Sequence, residues 1–176
     1  DHVYFGNEVG DLFCVNLGGN TKWRYKAKRA ITASPVFHDG VVYAGSVDTL
    51  LYALDARSGY ILWRFRMTKA TISTPCIVEN YLFTGSVDNN IYCIEIHSAK
   101  EVWSFPTDNQ VTGSPIIYKD SLYIGSVDGS IYCLEYRTGR LRWKFPTGGA
   151  ITGTPVVAND TLYFGSTDHY IYAILI

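Results

Sequence analysis

The chain repeats itself with a period of 40 residues, and this repeat constrains the fold more than any other feature. Three marker series keep the step: Trp23, Trp63, Trp103 and Trp143; Pro35, Pro75, Pro115 and Pro155; Gly45, Gly85, Gly125 and Gly165. A period near 40 residues is typical of solenoids, propellers and arrays, in which one supersecondary unit stacks on the next. We therefore treat residues 1–176 as one domain of about 4.4 repeats, with units 1–39, 40–80, 81–120, 121–160 and 161–176.

Each unit contains four short apolar runs separated by turn residues, as residues 111–147 illustrate. Lys119-Asp120, Asp128-Gly129 and Thr138-Gly139 mark the three turns of that unit. Four runs in 40 residues leave about ten residues for each strand and its turn, which suits strands of about 5–6 residues. Asp-Gly between apolar runs is a strong hairpin signal, and no window has useful helical periodicity. The unit is predicted to be a four-stranded antiparallel meander.

The middle runs of the units are apolar at every position, as in Leu50–Leu54, Ile91–Ile94 and Ile131–Leu134. A strand reads this way when other layers cover both of its faces. Radially stacked four-stranded sheets provide such cover, so we predict an all-β fold, a β-propeller, with a solenoid as the alternative. The first unit lacks an innermost strand and the last lacks an outermost one. We therefore expect an incomplete propeller, part of a longer protein, whose closure needs missing blades or a second copy.

Aromatic and basic residues also follow the repeat. Aromatic residues lie two positions before each marker glycine, seven after it, and two after each tryptophan. We expect these rings to fill the gaps between sheets, and the alternative is that they stack on bases or sugars. Lys and Arg alternate along the last strand, where they protect an exposed edge from aggregation. The alternative is a basic patch for an acidic partner, best developed in Lys22–Arg29.

The four cysteines are predicted to be free thiols. Cys14, Cys93 and Cys133 share one repeat position with Ala53 and Ala173, which indicates a small buried apolar site. Equivalent positions in stacked sheets lie ~10 Å apart, whereas a disulfide tolerates Cα separations only up to about 7 Å. Cys76 occupies a different repeat position. Free thiols are compatible with a reducing compartment, but the sequence leaves the localisation unknown.

Several classes of function lack support in the sequence. The net charge is −1 and no nucleic-acid-binding motif is present, so we expect no nucleic-acid partner. No apolar run approaches the roughly 20 residues of a membrane span. The histidines share no repeat position and lack triad-like partners. The repeated turn aspartates (Asp48, Asp88, Asp128 and Asp168) are expected to bond nearby backbone, with a ring of metal ligands as the alternative.

A family resemblance is carried by residues 53–63, which read ALDARSGYILW. This segment resembles the tryptophan-docking motif A-x-D-x-x-[TS]-G-x-x-x-W of the quinoprotein alcohol dehydrogenase-like propellers, which are built from PQQ-like repeats. Residues 133–143 keep the Thr-Gly and the Trp, whereas residues 93–103 have Ala99 where Gly is usual. The Ser/Thr-Pro step and the YxGSxD step are also similar, so the resemblance covers the whole chain.

The resemblance implies structural roles for the markers. Each docking tryptophan would wedge between adjacent blades, and each glycine would allow a close approach or a positive φ. The residues concerned are Trp23, Trp63, Trp103 and Trp143, with Gly45, Gly85, Gly125 and Gly165.

Two functions are compatible with the resemblance, because the family includes both enzymes and BamB-like scaffolds. The preferred one is a non-catalytic scaffold or sensor module for protein partners, with no catalytic, cofactor-binding or metal-binding residues. The alternative is a fragment of a PQQ-dependent dehydrogenase whose catalytic blades are missing, and PQQ with Ca would belong only to that alternative. Such enzymes use adjacent cysteines, and no Cys-Cys pair exists here. Partner contacts are expected at residues that vary between units, namely Lys28, Arg29, Lys69 and Gln110.

Overall fold

The computed structural model describes all residues, 1–176, and contains eighteen strands and no helix. No helix that could cross a membrane is therefore present. The strands form five antiparallel sheets. Sheet 1 contains β1 (His2–Gly6), β2 (Asp11–Asn16) and β3 (Thr21–Lys26). Sheet 2 contains β4 (Val36–His38), β5 (Val41–Gly45), β6 (Leu50–Asp55) and β7 (Ile61–Arg66). Sheet 3 contains β8 (Cys76–Val78), β9 (Tyr81–Gly85), β10 (Asn90–Glu95) and β11 (Lys100–Pro106). Sheet 4 contains β12 (Ile116–Tyr118), β13 (Ser121–Gly125), β14 (Ser130–Glu135) and β15 (Leu141–Pro146). Sheet 5 contains β16 (Val156–Ala158), β17 (Thr161–Gly165) and β18 (Ile171–Leu175).

Every sheet is an up-and-down meander, because consecutive strands pair antiparallel in chain order. The innermost strands are short, and β12 spans only Ile116–Tyr118. Pro115 has no backbone N–H to donate to a ladder, so pairing starts after it. A regular bulge interrupts the pairing of β6 with β7 between Ala53 and Leu54, just after the pair of Ala53 with Trp63. Such a bulge increases the local twist of the sheet.

The core consists of four apolar clusters, one between each pair of neighbouring sheets. In the first cluster, Leu12 and Cys14 of sheet 1 pack against Val42 and Ala44 of sheet 2. The middle strands are buried on both faces, which explains their unbroken apolar runs; Leu51–Leu54 are all buried. The apolar positions that recur every 40 residues therefore form the packing between neighbouring sheets.

The terminal sheets have only three strands each. Sheet 1 lacks an inner strand and sheet 5 lacks an outer one, as the strand order indicates. Large apolar side chains remain open on them: Ile171 is 83% and Leu175 is 82% exposed in β18, and Val3 and Phe5 are exposed in β1. These faces resemble the covered faces of the central sheets in composition but have no neighbouring sheet.

Candidate interaction surface

The tryptophans make the same contact from one sheet to the next. The indole N–H groups of Trp23, Trp63 and Trp103 donate to the carbonyl oxygens of Ala56, Ile96 and Tyr136, at 2.9, 2.8 and 3.0 Å. Each acceptor lies 33 residues further along the chain and is the first residue of the turn between the last two strands of the following sheet. The Trp23 and Trp103 rings lie against Gly59 and Gly139 of those turns. Trp143, whose counterpart 33 residues further on is Ile176, makes no such bond.

The marker glycines lie where neighbouring sheets approach closely. A Cβ atom on Gly45 would lie 2.7 Å from Cγ2 of Thr71, and one on Gly85 would lie 2.5 Å from Cγ1 of Val111. Gly125 faces Ile151 in the same way. None of the marker glycines has a positive φ, so of the two roles anticipated only the close approach applies. Gly165 has no atom within 4 Å of its Cβ position. The docking role of these tryptophans and glycines remains a prediction.

One side of the stack of sheets is formed by two sets of connections, which we call the loop face. One set joins each outer strand to the next sheet (residues 27–30, 67–70, 107–110 and 147–150). The other joins the second and third strands of a sheet (residues 46–49, 86–89, 126–129 and 166–169). Backbone bonds link the sets: the N–H of Val47 donates to the carbonyl of Ala30 at 2.9 Å, and equivalent bonds recur in the later sheets.

The turn aspartates fix the backbone of the loop face. Asp48 accepts the backbone N–H of Lys28 at 3.0 Å and that of Leu50 at 3.2 Å. Its Oδ2 also accepts the hydroxyl of Tyr52 at 2.6 Å. Asp88, Asp128 and Asp168 form the same set of bonds with their own loop, turn and tyrosine. The carboxylates are therefore engaged in holding loops.

Sequence reasoning missed the polar role of the tyrosines. Tyr52, Tyr92, Tyr132 and Tyr172 were expected only to fill inter-sheet space, yet each donates its hydroxyl to the turn aspartate. A signal was present, because Ser-x-Asp-x-x-x-Tyr recurs in four units. The serine of this pattern accepts the N–H of the aspartate, as Ser46 does from Asp48 at 3.2 Å.

The hydrogen bonds around Asp88 predict a dependence of stability on acid pH. Burial opposes the ionisation of Asp88, but hydrogen bonds from Asn90, Thr68 and Tyr92 outweigh it and lower the pKa of the carboxyl. Its stabilisation is therefore complete above the unfolded value of about 3.9 and is lost as the pH falls through the folded pKa. We expect urea unfolding between pH 2 and 5, roughly the acid range of carboxylates, to show a shallower pH slope for Asp88→Asn. The control is Asp120→Asn, because the carboxyl of Asp120 makes no hydrogen bond. An unchanged pH slope in Asp88→Asn would contradict the prediction.

The four candidate contact residues all lie on the loop face and are exposed. Lys28 and Arg29 occupy the first loop, Lys69 the second and Gln110 the third. The equivalent residue pairs along the stack change from Lys28-Arg29 to Thr68-Lys69, Asp108-Asn109 and Gly148-Gly149. The structure thus places these residues at repeated backbone positions with different side chains.

The inner strands are also connected through hydroxyl groups. The N–H of Ser34 donates to Oγ1 of Thr74 at 3.2 Å, and the N–H of Thr74 donates to Oγ of Ser114 at 3.0 Å. These bonds join sheets 2, 3 and 4 at the Ser/Thr-Pro step. They give that step a structural role that its sequence alone did not indicate.

The residues present do not fit a calcium–quinone centre. No group of three or more His, Cys, Asp or Glu side chains is placed to hold a metal ion. The four cysteines are free, and Cys76 is only half-buried whereas the other three are buried. Burial raises the pKa of the Cys93 thiol to about 12. The expectation that this chain binds no cofactor remains a prediction.

Comparison with known proteins identifies the family. A sequence model described as outer membrane protein assembly factor BamB matches residues 8–174. No curated protein matches the chain at a significant level. Among solved structures, BamB from Moraxella catarrhalis superimposes with a TM-score of 0.87 at 23% identity, covering 99% of this chain and 60% of that one.

Two computationally designed proteins also match. Ika8 superimposes with a TM-score of 0.89 at 19% identity, covering 99% of this chain and 55% of its own. Ika4 gives 0.77 at 20% identity, covering 85% and 93%. The chain thus spans 60% of the BamB chain and 55% of the Ika8 chain. The predicted all-β propeller fold is confirmed, and the chain belongs to the BamB family of PQQ-like propeller repeats.

Proposed function

We propose that this chain is a non-catalytic propeller scaffold or sensor module that binds a protein partner through its loop face. The observation that carries the proposal is the combination of a fixed backbone with variable side chains. The N–H groups of Lys28, Thr68, Asp108 and Gly148 are all held by turn aspartates. Repeat proteins use this arrangement to build extended binding surfaces, because a regular scaffold presents different residues at equivalent positions.

The charge of the loop face changes along the stack, which supports a specific orientation of the partner. The first two loops carry Lys28, Arg29 and Lys69, whereas the third carries Asp108 and the fourth two glycines. Preformed, hydrogen-bonded loops lose little conformational entropy when they bind, and this favours affinity. A surface whose charge changes along a fixed backbone therefore favours binding of one partner in one orientation.

A capture experiment with matched variants tests the proposal. The loop-face variant carries alanine at Lys28, Arg29, Lys69 and Gln110, and the control carries alanine at Asn20, Arg57, Lys100 and Arg140. The control residues are exposed too, but they lie at or beside the turns between the last two strands, on the opposite side of the sheets.

We expect the wild type and the control to retain one protein in equal amount. The loop-face variant should retain at least about tenfold less of it, because the lost contacts together contribute ~1.4 kcal/mol to binding. Quantitative mass spectrometry of the retained proteins provides the measurement. Equal retention by both variants would show that the loop face does not bind the partner.

A further inference from the structure

A groove of about 390 Å³ lies between the outer strands of sheets 1 and 2. Buried Leu50 and Tyr52 and half-buried Tyr25 form its apolar floor. Its rim carries four exposed cationic side chains: Lys26, Lys28, Arg64 and Arg66. The basic segment of the first unit is thus joined in space by two arginines that are distant in sequence.

Most of these positive charges have no ion-pair partner, although the Asp48 carboxylate accepts the hydroxyl of Tyr52 at the floor of the groove. Arg64 donates to the hydroxyl of Tyr25 at 3.2 Å, and Arg66 donates to the hydroxyl of Thr49 at 3.3 Å. Neither arginine forms an ion pair, and nor does Lys28, whereas Lys26 lies 3.3 Å from Asp11. Both arginines therefore retain N–H groups that are free to meet an anion.

Outer strands of other sheets also carry basic residues, such as Arg24, which pairs with Asp11, but the arginine pair of this groove is not repeated in the later grooves. The positions of Arg64 and Arg66 are occupied by Ser104 and Pro106 in sheet 3. In sheet 4 they are occupied by Lys144, which lies 3.5 Å from Asp108, and by Pro146. A set of charges restricted to one of several equivalent grooves indicates a local binding role.

The geometry points to an extended acidic peptide segment of a protein partner as the occupant of this groove. Arg64 and Arg66 alternate along β7, so their side chains share one face and lie ~6.6 Å apart along the strand. Carboxylates at every second residue of an extended peptide have the same spacing. β7 is also the outermost strand of its sheet, and its free edge offers backbone groups to such a segment. This inference rests on the proposed interaction function and specifies the chemistry of the partner.

Single-stranded nucleic acid fits the groove less well. Binding of that kind combines basic side chains with aromatic faces on which bases stack. Here Tyr52 is only 2% exposed, and its ring packs 5.3 Å from the ring of Tyr25. Because these rings are already covered, the groove offers charge and an apolar floor but no stacking platform.

Fluorescence polarisation with a labelled peptide of alternating Glu and Thr residues tests the inference. We expect salt-sensitive binding that becomes about tenfold weaker in the double variant Arg64→Gln/Arg66→Gln, because exposed ion pairs each contribute modestly. The control double variant Arg140→Gln/Arg142→Gln changes the net charge equally on the outer edge of sheet 4 and should bind like the wild type. A peptide of alternating Lys and Thr should not bind.

Three results would overturn the inference: no binding of the acidic peptide to the wild type, equal weakening in both double variants, or tighter binding of an oligothymidylate at the same arginines. The loop-face variant shares Lys28 with the groove but keeps both arginines, whereas the arginine double variant keeps Arg29, Lys69 and Gln110 of the loop face. Failure of this inference and failure of the proposed function are therefore distinguishable.

Discussion

Replacement of Trp103 by alanine is expected to destabilise the protein by about 3 kcal/mol, the lower end of the range for a buried aromatic ring, because the Trp103 side chain is half-buried. The ring lies between sheets 3 and 4, contacts Gly139, and donates its indole N–H to Tyr136. The truncation would remove both the packing and the hydrogen bond. Urea unfolding followed by far-ultraviolet circular dichroism measures the loss without relying on tryptophan fluorescence.

Trp143 provides a matched control within the same chain. Its ring lies 5.8 Å from Tyr123 of its own sheet, just as Trp103 lies 5.9 Å from Phe83. Trp143 has no indole acceptor in a following sheet, so Trp143→Ala should cost roughly half as much. Trp143 does pack against the apolar cluster of sheets 4 and 5, so the comparison isolates the indole hydrogen bond and the contact with the glycine of the turn. If the two variants lose the same stability, these two contacts contribute nothing, and the docking role assigned to them is wrong.

A single methyl group at Gly85 is expected to cost about 3 kcal/mol, at the upper end of typical overpacking penalties. In Gly85→Ala the new Cβ would lie 2.5 Å from Cγ1 of Val111 and 2.7 Å from its carbonyl oxygen. A side chain can rotate away, but the carbonyl belongs to the segment that leads into sheet 4. Relief of the clash therefore requires the two sheets to separate, which loosens the apolar cluster between them.

Gly165→Ala is the control for this prediction, since it makes the same chemical change at the equivalent position of sheet 5. Nothing lies within 4 Å of its Cβ position, so we expect a change within about 0.5 kcal/mol. Urea unfolding of the two variants side by side gives the comparison. Equal losses of stability would mean that these glycines are required for the conformation of their strands and not for the close approach of neighbouring sheets.

The two experiments test separate parts of the functional proposal: binding of a partner through the loop face, and binding of an acidic segment in the basic groove. The loop face depends on side chains that vary at equivalent loop positions, whereas the groove depends on cations gathered from two outer strands. A partner that uses both would contact Lys28, which lies at the boundary of the two surfaces.

The fold could be predicted because its information is local and repeated. Asp128-Gly129 marks a hairpin, and the unbroken run Ile131–Leu134 marks a strand covered on both faces. Five units with the same pattern reinforce one another, so the strand number, their order and the stacking of sheets follow from the period. The innermost strands are the shortest, because each begins only after the proline of the Ser/Thr-Pro step, which has no N–H to donate to the ladder.

The candidate site could be predicted only in part. Lys28, Arg29, Lys69 and Gln110 were singled out because they vary between units, and all four are exposed on the loop face. Their contact with a partner stays a prediction. The basic groove was visible in the sequence only as the cluster Lys22–Arg29, because its other half belongs to the next sheet. A linear pattern does not reveal which side chains of neighbouring sheets lie together.

By itself, the sequence determined the repeat, the strands and the turns, because alternating burial and turn chemistry act within a few residues. Only the tertiary structure decided which groups meet across sheets. It placed Trp103 against a carbonyl 33 residues away and Gly85 against a residue 26 positions further on. It also placed Arg64 of β7 beside Tyr25 of β3. Such contacts depend on the distance and angle between stacked sheets, and these are set by the packing of the whole core.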